Sequence, residues 1–241
     1  MKHCVIRWAI AWVGLVACFM HTGAAMADEA PKVAAPTQPS GDRLVYRPPD
    51  LGAPKQRVGG GTRSLGQLFV LSPPHLAQTS LTQPRLYWYL DPGFRNALRF
   101  RLERSGDASV LLNAVLEPAP DGGVQYVDLS DYDVRLEVGA RYEWGVILEP
   151  EPHQRWPALY SAADLLVTSE AGYAHGDSSP RDRALGAARM GLWYDALDLL
   201  SRQIEADPAT ADWRQLRAEL LDQGGLGAVA ERDRRLLEHP R

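Results

Sequence analysis

The sequence has only two cysteines, Cys4 and Cys18, and both lie near its start. Beyond residue 18 there is no disulfide, no thiol nucleophile and no thiolate metal site to consider. Lysine is nearly as scarce: Lys2, Lys32 and Lys55 are the whole complement. Basic residues are outnumbered, 26 against 30 acidic, for a net charge of −4. That balance argues against nucleic acid or an anionic membrane surface as a bulk electrostatic partner. The one long apolar run, Trp8–Met20, is shorter than the ~20 residues a bilayer-spanning helix needs.

Catalytic and ligating motifs are also missing. His75, His153, His175 and His239 are scattered, with no His-x3-His or His-Glu-x2-His spacing. There is no Gly-x-Ser-x-Gly elbow and no Ser-x-x-Lys. Arg57-Val58-Gly59-Gly60-Gly61-Thr62-Arg63 lacks the lysine and spacing of a phosphate loop. Leu129 and Tyr132 interrupt the oxygen positions that a calcium loop would need around Asp128, Asp131 and Asp133. The expectation is therefore no catalytic residue, no metal and no cofactor. A cryptic hydrolase with loop carboxylates is the weakest rival, because carboxylate pairing depends on space and not on sequence.

What is present begins with an export signal. Lys2 and Arg7 precede the apolar run, and Ala25-Met26-Ala27 forms a cleavage pattern before Asp28. Residues 1–27 are expected to be removed between Ala27 and Asp28, leaving no transmembrane helix. Removal takes two basic residues and no acid, so the balance becomes 24 against 30, net −6. The expected location is periplasmic or secreted. Leu15-Val16-Ala17-Cys18 also resembles a lipobox, and the alternative is a lipoprotein anchored through Cys18.

Residues 28–64 are rich in Pro, Ala and Gly and are expected to be a linker. From residue 65 to 169 the pattern is β-like. Leu98, Phe100 and Leu102 alternate with Arg99, Arg101 and Glu103. Further strands are expected at 68–71, 86–90, 110–116, 124–129, 134–138, 142–148 and 163–168. Turn residues break them at about ten-residue intervals. This predicts a mainly β fold: an immunoglobulin-like antiparallel β-sandwich with Trp88 and Trp144 in its core.

After a Gly-, His- and Ser-containing boundary at 170–180 the period changes. Residues 177–241 are expected to form a small helical hairpin or repeat tail. Gly191 and Gly225 stand 34 residues apart, as do Ala196 and Ala230. Gly191-Leu192-Trp193-Tyr194-Asp195-Ala196-Leu197, followed by Asp207-Pro208, resembles the second half of a tetratricopeptide unit.

The order of these features resembles the bacterial DUF928 family, a domain of unknown function. The resemblance rests on residues 53–63, on Gln83-Pro84-Arg85-Leu86-Tyr87-Trp88-Tyr89, on residues 136–144 and on residues 191–197. It implies an exported protein of this layout and no activity. Cysteines that some relatives carry near the start and in the sheet region are absent here, so no disulfide role carries over.

The binding candidates are aromatic and arginine side chains: Arg85, Tyr87, Tyr89, Trp156, Trp193 and Tyr194. The expected function is a non-catalytic adaptor that docks a protein partner in the cell envelope. A carbohydrate-binding or cell-surface structural module is the principal alternative.

Overall fold

Alternating side chains become strands when one face can be buried. The computed structural model describes residues 43–51, 58–60, 67–107, 109–150, 153, 158–169 and 178–238. The strands are β1 (Val58–Gly60), β2 (Leu68–Val70), β3 (Ala77–Thr79), β4 (Arg85–Leu90), β5 (Leu98–Arg104), β6 (Val110–Leu116), β7 (Gly123–Asp128), β8 (Arg141–Leu148) and β9 (Leu159–Val167). Four helices follow: α1 (Pro180–Arg189), α2 (Trp193–Ala206), α3 (Ala211–Gln223) and α4 (Gly227–Glu238). The helices hold nearly as many residues as the strands, so "mainly β" understates the helical part.

Six strands make one sheet in the order β1-β9-β8-β5-β6, with β3 also on β9; three make another in the order β2-β4-β7. Pairing is antiparallel except at β3, which runs parallel to β9. This corrects the expectation of an all-antiparallel set. Pro73 and Pro74 follow β2 and cannot donate to its ladder, so the chain leaves one sheet and joins the other. A second correction concerns residues 134–138, which form no strand. Asp133 (φ 52°) and Gly139 (φ 83°) turn the chain at either side, and Leu136 N–H bonds only to the Thr82 carbonyl, at 2.8 Å.

The two sheets share one core. Trp88 on β4 lies 6.5 Å from Phe100 on β5, and Phe100 lies 6.0 Å from Trp144 on β8, between ring centroids. Leu98, Phe100 and Leu102 are fully buried, while Arg99 and Arg101 turn outward. One face of β5 thus carries the hydrophobic gain and the other the solvation, as its alternation requires.

The helices are set by their caps. Ser179 accepts from Asp182 N–H at 3.1 Å, and Pro180 opens α1 where a missing N–H costs nothing. Gly191 (φ 78°) and Gly225 (φ 70°) each reverse the chain in the left-handed region. Their cap hydrogen bonds recur at the same offset. Leu192 N–H reaches the Ala187 carbonyl at 2.9 Å, and Leu226 N–H reaches the Leu221 carbonyl at 2.8 Å. Two helix hairpins, α1–α2 and α3–α4, are therefore built to one pattern.

Nine of the 14 residues of α2 are buried, so this helix meets neighbours on more than one side. Trp193 Nε1 donates to the Leu71 carbonyl at 2.8 Å. Asp195, buried in the first turn, accepts from Thr79 Oγ1 at 2.5 Å and from Ser80 N–H and Oγ. The negative carboxylate also suits the positive end of the helix. The segment 43–51 packs here too, although the sequence places it in a linker. Leu44 and Tyr46 are buried, Arg47 N–H donates to the Ala188 carbonyl, and Gln223 bridges Tyr46 N–H and the Leu44 carbonyl.

Tyr194 ties α2 to the sheets and imposes a pH limit. Its hydroxyl accepts from Trp144 Nε1 at 3.0 Å and lies within reach of Ser72 Oγ and the Asp164 carbonyl. Burial, aided by the field around Asp164, pushes its phenol from 10.0 up to about 12, despite the opposing bonds to Ser72 and Trp144. The folded state thus keeps a proton that the unfolded chain loses. This contribution is complete below pH 10 and is lost as pH rises toward 12. The expected result is a shallower fall in urea midpoint across that window for Tyr194→Phe than for the parent. Equal slopes would show that Tyr194 is not a source of the alkaline sensitivity.

Candidate functional site

Strand β4 is buried on both faces. Leu86, Trp88 and Leu90 enter the core between the sheets, and Tyr87 and Tyr89 turn the other way, toward the helices. Tyr87 donates its hydroxyl to Asp198 Oδ1 on α2 at 2.8 Å. Burial first, then the Asp198 charge and hydrogen bond, hold this phenol far above its usual range. The other oxygen of Asp198 accepts from Arg202 Nε at 2.8 Å. Tyr89 donates to Asp91 Oδ1 at 2.8 Å.

Arg85 stands at the entrance to this seam. It bonds Asp128 at 2.9 Å and Glu205 at 3.0 Å, joining β4 to β7 and α2. Its guanidinium also lies 4.2 Å from the centroid of the Tyr126 ring, a cation–π arrangement. Tyr126 in turn lies 5.3 Å from the Tyr87 ring.

Deeper in the helices, Arg217 on α3 forms a two-pronged bond with Asp233 on α4, 2.7 Å on each side. A third bond runs to Ser201 Oγ at 3.2 Å. Both charged partners are buried, and a buried charge is tolerated only when paired in this way. Arg214, one turn earlier, reaches the same carboxylate only at 3.9 Å. Its guanidinium is held below the usual range by burial and by the neighbouring Arg217 charge, with Asp233 partly opposing.

Between the three-stranded sheet and α2–α4 lies a cavity of about 280 Å³. One wall is Tyr87, Tyr89 and Tyr126, and the other is Arg214, Arg217 and Arg232. A hollow of about 550 Å³ adjoins it, sharing Gly123, Arg214, Arg232 and Leu236 and adding Asp121 on the β-turn before β7. Together they form a cleft with an aromatic side and a cationic side.

The residues named from the sequence fall unequally around it. Tyr87 and Tyr89 line the cavity but are only 1% and 3% exposed. Arg85 sits at its edge, engaged in ion pairs. Trp193 and Tyr194 are buried away from it, in the contact of α2 with the sheets. Trp156, Cys18, Ala27 and Asp28 lie outside the described residues. Asp128, Asp131 and Asp133 form a polar turn, in which Asp128 accepts from Ser130 and from Arg85. Among the described residues, no group of three or more His, Cys, Asp or Glu is placed to hold a metal ion. No helix among them is long and apolar enough to cross a membrane.

Tyr126, Arg214, Arg217, Arg232 and Asp233 were not singled out by sequence reasoning. The one legible sign was Arg217, which falls three and four residues before Leu220 and Leu221 and so on the apolar side of its helix.

The family model described as Domain of Unknown Function (DUF928) matches residues 55–234, well over half of the 241 residues. The chain belongs to the DUF928 family. The matched region of this DUF928 protein contains every cleft residue named above except Leu236. No curated protein matches the chain. Among solved structures, similarity was found to a crystal structure of a multi-domain immunophilin from Arabidopsis thaliana. It is 10% identical and covers 69% of this chain and 99% of that one, with a TM-score of 0.20. At that score the likeness carries no argument.

Proposed function

We propose that this DUF928 protein is an exported, non-catalytic interaction module that docks a protein partner in the cell envelope. Residues 1–27 direct export, the two sheets act as an immunoglobulin-like β-sandwich scaffold, and α1–α4 form a tetratricopeptide-like tail. The observation that carries the reading is the cleft between β4–β7 and α2–α4, with tyrosines on one side and arginines on the other. Tyrosine and arginine are the side chains that anchor protein interfaces most often. The recurrence of the same cap bonds at Leu192 and Leu226 supports the repeat reading of the tail.

The carboxylates near the cleft are engaged in pairs that tie elements together: Asp198, Asp128, Glu205 and Asp233 each accept a bond from an arginine or tyrosine, which supports the binding reading. The test is capture of partners from an envelope extract by the mature chain and by a Tyr126→Asp variant. The wild type is expected to retain a partner that the variant loses while keeping its fold by circular dichroism. An identical set of retained proteins would remove the cleft from the proposal. Mass spectrometry of the exported chain is expected to read Asp28 as the first residue; a lipid-modified Cys18 there would establish the anchored alternative.

A further inference from the structure

Charge pairing in the cleft is uneven. Arg217 and Asp233 satisfy each other, Arg85 is matched by Asp128 and Glu205, and Arg202 by Asp198. Two arginines are left over. Arg214 has only the 3.9 Å approach to an Asp233 oxygen that Arg217 already holds. Arg232 makes no ion pair with any described residue, yet it lines both the cavity and the outer hollow, as Arg214 does. Of the other lining carboxylates, Glu205 is engaged by Arg85 and Asp121 stands at the outer rim; neither pairs with these two arginines.

We propose that the cleft recognises an acidic peptide segment, whose carboxylates are taken by Arg214 and Arg232. The inference rests on the interaction reading above and names the chemistry of the partner. Three observations converge on it. The guanidinium of Arg214 is already partly stripped of water by its surroundings, so a ligand carboxylate meets a donor whose desolvation is partly complete. Tyr126 lines the cavity and is 38% exposed, so the part of its ring that Arg85 and Tyr87 leave uncovered is open to peptide backbone and side-chain methylenes. The chain as a whole is acidic, so a long polyanion such as nucleic acid is repelled, while a short acidic segment can reach Arg214 and Arg232, with Glu205 and Asp233 on the cavity wall already engaged by Arg85 and Arg217.

The experiment is titration calorimetry on the mature chain with a blocked hexaglutamate peptide. A blocked hexaglutamine peptide and inorganic phosphate serve as comparisons. Hexaglutamate is expected to bind, to weaken as salt is raised, and to weaken about tenfold or more in Arg214→Gln/Arg232→Gln. Hexaglutamine is expected not to bind. Arg232→Gln alone, which breaks no ion pair, gives the same direction if the double variant does not fold. Equal hexaglutamate affinity in parent and folded variant overturns the inference, as does absence of hexaglutamate binding. Phosphate binding as tight as the peptide's overturns it in favour of a free anion. If a Tyr126-dependent envelope partner is still captured when hexaglutamate fails, the acidic ligand is refuted and the docking cleft stands.

Discussion

Replacing Arg217 by methionine is expected to lower stability by about 3–5 kcal/mol, because it strands the buried Asp233 carboxylate. Arg217 and Asp233 are 5% and 2% exposed, and two bonds of 2.7 Å hold them together. Burial alone works against the charge on Arg217; the Asp233 field and hydrogen bond outweigh it and hold the guanidinium protonated. Removing the arginine leaves Asp233 with only the distant Arg214 to compensate it. The double variant Arg217→Met/Asp233→Leu behaves differently, since it removes both desolvation costs at once. It is expected to recover most of the loss or to exceed the parent, because apolar side chains of similar volume often replace a buried pair without cost. Urea unfolding of the parent, both single variants and the double variant gives the coupling directly. Equal losses in single and double variants would mean that the pair is not the source of the effect.

Trp193→Ala is expected to cost about 3–5 kcal/mol, the range for deleting a large aromatic from a core. The ring is fully buried, donates to the Leu71 carbonyl at 2.8 Å, and meets the Tyr46 ring edge-on at 5.0 Å. It also explains Gly224. A Cβ at Gly224 would overlap the Trp193 ring, closer than non-bonded atoms can approach. Gly224→Ala alone is therefore expected to cost about 1–3 kcal/mol by overpacking. In the Trp193→Ala background the same substitution is expected to cost almost nothing, since the obstructing ring is gone. Additive losses in the double-mutant cycle would refute this contact as the reason for the glycine. The comparison also tests whether the second hairpin, α3–α4, is seated on the start of α2.

Local pattern carried a large part of the architecture. The alternation of Leu98, Phe100 and Leu102 with arginines places β5 because period two admits a half-buried strand and little else. Gly191 and Gly225 were recognisable as helix breaks 34 residues apart, and both sit at positive φ. The same reasoning failed at residues 134–138, where five alternating residues lack a partner strand. Alternation describes a preference of the chain, whereas a strand also needs a neighbour to bond. Segment 43–51 reads as linker from its composition, yet Leu44 and Tyr46 find a buried place against the helices.

The cleft was hardest to foresee. Tyr87 and Tyr89 are binding candidates by residue type, but the face of β4 that carries them is covered by the helices. Tyr126, Arg214, Arg217, Arg232 and Asp233 come from β7, α3 and α4 and have no common spacing in the chain.

By itself the sequence determined most of the strands, the helical stretch and its glycine breaks, because those depend on side-chain periodicity and backbone preference within a few residues. Tertiary structure alone decided that β3 would join β9 in parallel, that a second face of β4 would be covered, and that two arginines would be left without a close carboxylate. Those outcomes depend on distances between residues far apart in the chain, which no local pattern encodes.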